Sequence, residues 1–187
     1  MTLAVSIRAE QLGDCGPICQ VIHEAFRNHP HSSQTEHLTV NALRAAGALE
    51  LSLVATAGNQ LVGHVAFTRV EISDNTDGWY GLGPVAVKPE FHGRGIGTAL
   101  IESGLAGLQE RRAHGCVLLG DPKFYDRFGF RNYPGLVLEG VPQKYFLALL
   151  LEGEWAEGRV TYHPVFDISL KVAQVAKLQL GTKCGVR

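Results

Sequence analysis

Apolar residues recur along the chain in two rhythms, period two and period 3.6, and their alternation lays out a mixed order of strands and helices. Residues 3–7 alternate weakly and predict a first strand. From Cys15 the apolar positions move to helical spacing, through Ile18, Cys19, Ile22 and Phe26. Asp14 is expected to cap this helix, Pro17 falls in its first turn, and Pro30 should end it near Asn28. A shorter helix fits residues 36–46. Residues 51–57 and 60–70 are apolar on both faces, so they predict a hairpin about Gly58-Asn59 in a sheet covered on two sides. A polar loop at 74–78 leads to another strand, Trp79 to Val87, which contains Gly81, Gly83 and Pro84. Proline cannot donate to a ladder, so this strand must bulge or splay there.

Behind that strand the pattern changes abruptly. The apolar run Val85-Ala86-Val87 stops at Lys88-Pro89, glycines follow at 93, 95 and 97, and a helical pattern opens at Thr98 and runs to about Ala113. A strand that feeds a glycine loop, which opens a helix, makes an anion site. The first helical N–H groups lack partners, the helix dipole is positive there, and glycine lets the backbone approach a ligand. The spacing narrows the ligand. No lysine follows Gly95 or Gly97, as a P-loop requires. The dinucleotide pattern fails as well, because its last glycine falls on Thr98 or Leu100.

The rest of the chain reads as a short apolar strand at 116–119 and a short helix at 123–128. Asp121 is that helix's cap, Pro122 its first residue and Gly129 its stop. Strands are expected from Phe130, at 144–151 and at 160–165. Residues 168–187 carry only a weak helical pattern.

Composition changes this picture little. The chain has 187 residues, 45% of them hydrophobic and 19% charged, which fits one globular domain. A net charge of −1 gives no electrostatic footprint for nucleic acid or an anionic membrane. Cys15, Cys19, Cys116 and Cys184 form no C-x-x-C pair, so they read as buried thiols in a reducing cytoplasm rather than as metal ligands. His29, His31 and His37 read as a solvated polar segment. No apolar run reaches the ~18 residues of a membrane span, and the first residues are too short and polar for a signal peptide.

The loop His92-Gly93-Arg94-Gly95-Ile96-Gly97 after a strand, together with LGPVAV, LLGDPKFYDRFGF and VTYHPVF, resembles the GNAT N-acetyltransferase superfamily and its YhbS-like branch. The resemblance implies an α/β (α+β) fold over residues 1–166, with 167–187 as a tail. Its centre would be a mixed, mostly antiparallel sheet with a splayed pair of strands and helices on both faces. It implies acetyl-CoA as acyl donor, an amine as acceptor, and no metal. The pyrophosphate would be held by His92, Gly93, Arg94, Gly95, Ile96, Gly97 and Thr98, mainly through backbone amides. His92 stands where the family usually has Gln or Arg. Arg94 or Lys88 would add charge from the side. Val85, Ala86 and Val87 would pair with the pantetheine arm, and the Val87 N–H would polarise the thioester carbonyl. Tyr125, in the string Y-x-x-x-G-F, would protonate the leaving thiolate. The general base stays open. Gly81 stands where some members carry Glu, and Glu71, Asp121, His64 or a water relay are the alternatives. The acceptor also stays open among small amines, antibiotics and protein amines. A homodimer is compatible with this reading, and so is a non-catalytic acyl-CoA-binding or sensing module.

Overall fold

A computed structural model of the chain describes residues 4–27, 32 and 34–166. The elements run β1 (Val5–Ala9), α1 (Cys15–Phe26), α2 (Glu36–Ala45), β2 (Leu49–Ala57), β3 (Gln60–Ile72) and β4 (Trp79–Val87). There follow α3 (Ile96–Glu110), β5 (Gly115–Leu119), α4 (Pro122–Tyr125), β6 (Leu136–Val137), β7 (Phe146–Leu150) and β8 (Gly158–Tyr162). The sheet order is β1-β2-β3-β4-β5-β7, and β8 adds to β3 beyond the reach of β2, with β6 beside it. All pairs are antiparallel except β4–β5 and β6–β8. The expected mixed, mostly antiparallel sheet is therefore present, and its apolar residues are covered on both faces.

Each face has its own core. On one, α3 lays Ile96, Leu100, Ile101 and Leu108 against Val65, Phe67, Tyr80 and Leu118. On the other, α1 and α2 cover Val54 and Ala86 with Ile18, Ile22 and Val40. Farther along that second face, Val70, Trp79 and Val117 pack under Leu136 and Val160 from the β6–β8 side. Burial of each such large side chain contributes roughly 1.5–3 kcal/mol. Gly104 has a packing reason that its helix propensity hides. A Cβ there would run into the ring of Phe67, so its absence lets α3 lie close on β3.

Several local expectations shift. Asp14 does not cap α1. Its carboxylate instead takes the Gln11 N–H at 2.8 Å and pairs with Arg8 at 2.6 Å, because a 3-10 turn at Leu12–Asp14 precedes the helix. Cys15 and Cys19 are half-buried, and Ile18, Val21 and Ile22 form the inner face of α1. The strand expected from Phe130 shrinks to one bridge between Arg131 and Ala148, because Asn132 uses its side chain on the Phe146 and Gln143 carbonyls. The strand expected at 144–151 begins only at Phe146, after a 3-10 turn at Gln143–Tyr145. Asn28, His29, His31 and the segment 167–187 lie outside the described residues.

Candidate active site

The centre of the fold is a place where the sheet comes apart. β4 and β5 pair in parallel only through Trp79–Gly81 and Gly115–Val117. Past Gly81, β4 leans away, while β5 stays paired with β7 along its whole length. The cause is written into β4. Between the pairs Phe67–Leu82 and Val65–Val85, three steps of β4 match two of β3, so Gly83-Pro84 forms the expected bulge. The Gly83–Pro84 peptide is cis. The result is a V-shaped gap with Gly81 and Val117 at its apex.

The register decides which backbone groups line the gap. Lys88 N–H donates to the Val62 carbonyl at 2.9 Å, in register with the Gly63–Val87 and His64–Ala86 pairs. Hydrogen-bonded pairs alternate along an antiparallel ladder, so Ala86 turns its backbone groups toward β3, and Val85 and Val87 turn theirs into the gap. The His92 side chain supports this assignment, because its Nε2–H donates to the Val87 carbonyl at 2.8 Å. Of the three residues expected along the arm, Ala86 contributes no free backbone group, and its methyl is buried beneath α1.

At the mouth of the gap, α3 begins without any side-chain cap. Gly93 and Gly95 have φ of 73° and 75°, a left-handed conformation that costs other residues ~1–2 kcal/mol. The space beside both is open, and a Cβ at either would meet nothing within 4 Å. Ile96 is buried in the α3-side core and anchors the first turn, which leaves the N–H groups of Ile96, Gly97 and Thr98 without partners inside the helix. Arg94 lies exposed over the Phe91 ring at 5.2 Å and donates to the Glu90 carbonyl at 3.2 Å. Lys88, expected to lend charge here, is instead buried and paired with Glu24 of α1 at 3.5 Å.

Tyr125 stands on the far side of the gap, in α4. Asp121 caps that helix as expected, its carboxylate accepting the Lys123 N–H at 3.0 Å. The Tyr125 ring lies over Gly120, just past the end of β5, where any side chain would displace it. Phe124 and Phe130 hold it edge-on, at 4.9 and 6.0 Å between ring centres. Burial pushes its phenol up to about 12, so it stays protonated at neutral pH. A group so held can give a proton to a base formed beside it.

The carboxylate and histidine candidates for a base are otherwise engaged or lie elsewhere. Asp121 is engaged as a cap, and Glu71 is exposed beyond the β3–β4 pairing. His64 is fully buried on the α1 face, with Nε2 2.9 Å from the Ser52 hydroxyl, which in turn donates to Glu10. Burial pushes His64 down to about 4, so its imidazole is neutral. A cavity of about 430 Å³ beside Glu10, Cys15, Arg44 and Ser52 lies at the β1–β2 edge, away from the gap. Among the described residues no three His, Cys, Asp or Glu side chains gather as a metal site. No described helix is long and apolar enough to cross a membrane.

One residue at the apex escaped sequence reasoning. The ring of Tyr162, from β8, covers Gly81. The only local signal was Gly81 itself, since glycine inside a strand often marks a close approach.

Known proteins are similar to this chain in sequence and fold. The family model for the acetyltransferase (GNAT) domain matches residues 49–132. The uncharacterized N-acetyltransferase YhbS of Escherichia coli is 38% identical over 108 residues, which are 57% of this chain and 65% of that relative's length. A GNAT family acetyltransferase from Brucella melitensis, solved in complex with acetyl-CoA, is 45% identical with a TM-score of 0.79, covering 88% of this chain and 99% of that one. E. coli YhbS solved in complex with CoA is 32% identical with a TM-score of 0.82, covering 89% and 94%.

Proposed function

Because the chain belongs to the GNAT acetyltransferase family, we propose that it transfers an acetyl group from acetyl-CoA to a primary amine. The observation that carries this reading is the gap itself, with the backbone groups of Val85 and Val87 turned into it from one wall and the Tyr125 phenol beyond the other. The pyrophosphate sits over the N–H groups from Gly93 to Thr98, where the α3 dipole and the left-handed glycines favour an anion. The pantetheine arm extends β4 as a substitute strand in the place that β5 vacates. Its amides exchange hydrogen bonds with Val85 and meet the Val87 N–H, the Val87 carbonyl already accepting from His92. The relatives crystallised with acetyl-CoA and with CoA support this donor.

The reaction then follows from what these groups can do. A neutral amine attacks the thioester carbonyl carbon, a C–N bond forms, and the C–S bond breaks. The amine gives up one proton and the sulfur gains one, so the products are an amide and free CoA thiol. A backbone N–H on β4 stabilises the oxygen as charge develops on it. Tyr125 supplies the thiolate's proton, and its position beside a buried aromatic cluster keeps that proton in place. Water carries away the proton of the incoming ammonium, since Asp121 is engaged as a helix cap and His64 is buried on the α1 face.

The test is thiol release from acetyl-CoA with a panel of small amines and peptides, alongside CoA binding by calorimetry. Tyr125→Phe should bind CoA normally and turn over roughly tenfold to a thousandfold more slowly, the range for a general acid. Undiminished turnover would remove Tyr125 from the chemistry. Tight CoA binding with no release for any acceptor would favour the acyl-CoA-sensing alternative.

A further inference from the structure

The donor reaches the gap from one face of the sheet. The loop at Gly93–Thr98, α3 and the Tyr125 ring all belong to the α3-side core or pack against it. A nucleophile must therefore approach the thioester from the opposite face. On that face the apex lies between two covered regions, α1 and α2 on one side and β6–β8 on the other.

What stands at the apex there is Tyr162. It starts from β8, opposite Val70, and crosses β3 to lie on Gly81. The edge of the ring touching Gly81 includes Cζ, the carbon bearing the hydroxyl, 3.1 Å from where a Cβ would stand. The hydroxyl therefore lies beside Gly81, at the apex. Phe166 braces the ring edge-on at 5.2 Å. Among the described residues the Tyr162 hydroxyl has no hydrogen-bond partner. Directly opposite Gly81 in the ladder is Thr68, fully buried, whose hydroxyl is likewise unpartnered among the described residues. A buried hydroxyl without a partner costs roughly 1–3 kcal/mol, so the idle Thr68 hydroxyl, with half-buried Tyr162 beside it, marks a place built for a polar guest.

We propose that Tyr162 is the acceptor-side contact of the site, its hydroxyl oxygen taking an N–H of the amine and turning the nitrogen lone pair toward the thioester carbonyl. This rests on the transferase reading above. Burial pushes the phenol upward, so Tyr162 stays neutral and orients the amine without acting as a base. It touches substrate at the apex, while Tyr125 serves the sulfur from the other face. Gly81 is required because the ring needs its seat. The site also offers the acceptor aromatic surface and hydroxyls rather than carboxylates, which fits an amine flanked by apolar carbon better than a polycation.

Steady-state acetylation of n-butylamine, spermidine and a lysine-containing tripeptide, with wild type and Tyr162→Phe, tests the assignment. The variant keeps the ring on Gly81 and removes one oxygen. The expected result is an acceptor KM raised about tenfold for n-butylamine, with CoA affinity and unfolding midpoint unchanged, and wild-type KM lower for n-butylamine than for spermidine. Should Tyr162→Phe not fold, Gly81→Ala carries the same test, because its methyl drives the ring off its seat. Normal wild-type transfer with unchanged KM in the variant overturns the assignment and leaves the transferase reading standing. A wild type that binds acetyl-CoA and acetylates none of the three amines overturns both.

Discussion

His64 shows what a single buried residue does to the whole chain. Its imidazole is fully buried, with Ser52, Glu10 and Arg44 nearby, and burial pushes it down from 6.5 to about 4. Between those values the unfolded chain binds a proton that the folded chain refuses. Stability from this group is therefore complete above pH 6.5 and is lost as pH falls toward 4, a loss of up to ~3 kcal/mol. Glu10 adds to the same trend. Burial opposes its ionisation, but Arg44 and Ser52 overcome this and hold its carboxyl below the usual value. His64→Leu should flatten the pH dependence of urea unfolding between pH 6.5 and 4. An unchanged slope would mean that the imidazole is already protonated in the folded protein. The sequence showed a histidine in a strand. The apolar roof over it belongs to α1, and the hydroxyl beneath it belongs to β2.

At the scale of elements, α3 sets helix propensity against packing. Gly→Ala inside an ordinary helix stabilises by ~1 kcal/mol. At Gly104 the added methyl meets the Phe67 ring, which is itself fully buried and cannot turn aside, so overpacking wins. Gly104→Ala should destabilise by ~1–3 kcal/mol. At Gly107 the methyl meets only the Cδ2 end of half-buried Leu51, at 3.1 Å. That end can rotate away, and Gly107→Ala should stabilise by up to ~1 kcal/mol. Urea denaturation of both variants reads the contrast, and equal effects would refute the packing difference. Propensity alone gave the two glycines the same cost, because it sees the helix and not the sheet under it. The same blindness produced the wrong cap at Asp14, where an Arg8 partner and a 3-10 turn claimed the carboxylate. Asp121, with no competing partner, caps as its sequence says.

Across the whole molecule the gap in the sheet is a missing strand that a ligand can supply. A ligand that binds only the folded chain stabilises it by ~2.7 kcal/mol at a hundredfold excess over Kd. For a domain of this size that corresponds to a rise of ~5–10 °C in Tm. CoA should produce that shift in the wild type. Gly95→Glu should not, because the new carboxylate projects into the open space beside the loop and repels the phosphates. It should also unfold a few degrees lower on its own, since Gly95 holds φ at 75°. A normal CoA shift in Gly95→Glu, measured by differential scanning calorimetry, would place the pyrophosphate elsewhere.

The sequence by itself determined what is local in the chain. The alternation of periods laid out the strands and helices, and the glycines at 93 and 95 placed the left-handed loop at the start of α3. Gly83-Pro84 broke the β4 ladder, and Asp121-Pro122 aimed the short helix that carries Tyr125. Each of these is a backbone constraint acting over a few residues, so composition and spacing record it. The tertiary structure alone decided who faces whom. It turned Val85 and Val87, but not Ala86, into the gap, because ladder register depends on β3. It drew Lys88 away to Glu24, and it carried Tyr162 across β3 onto Gly81. Those contacts join residues far apart in the chain, and they form only when separate elements bury their apolar faces together.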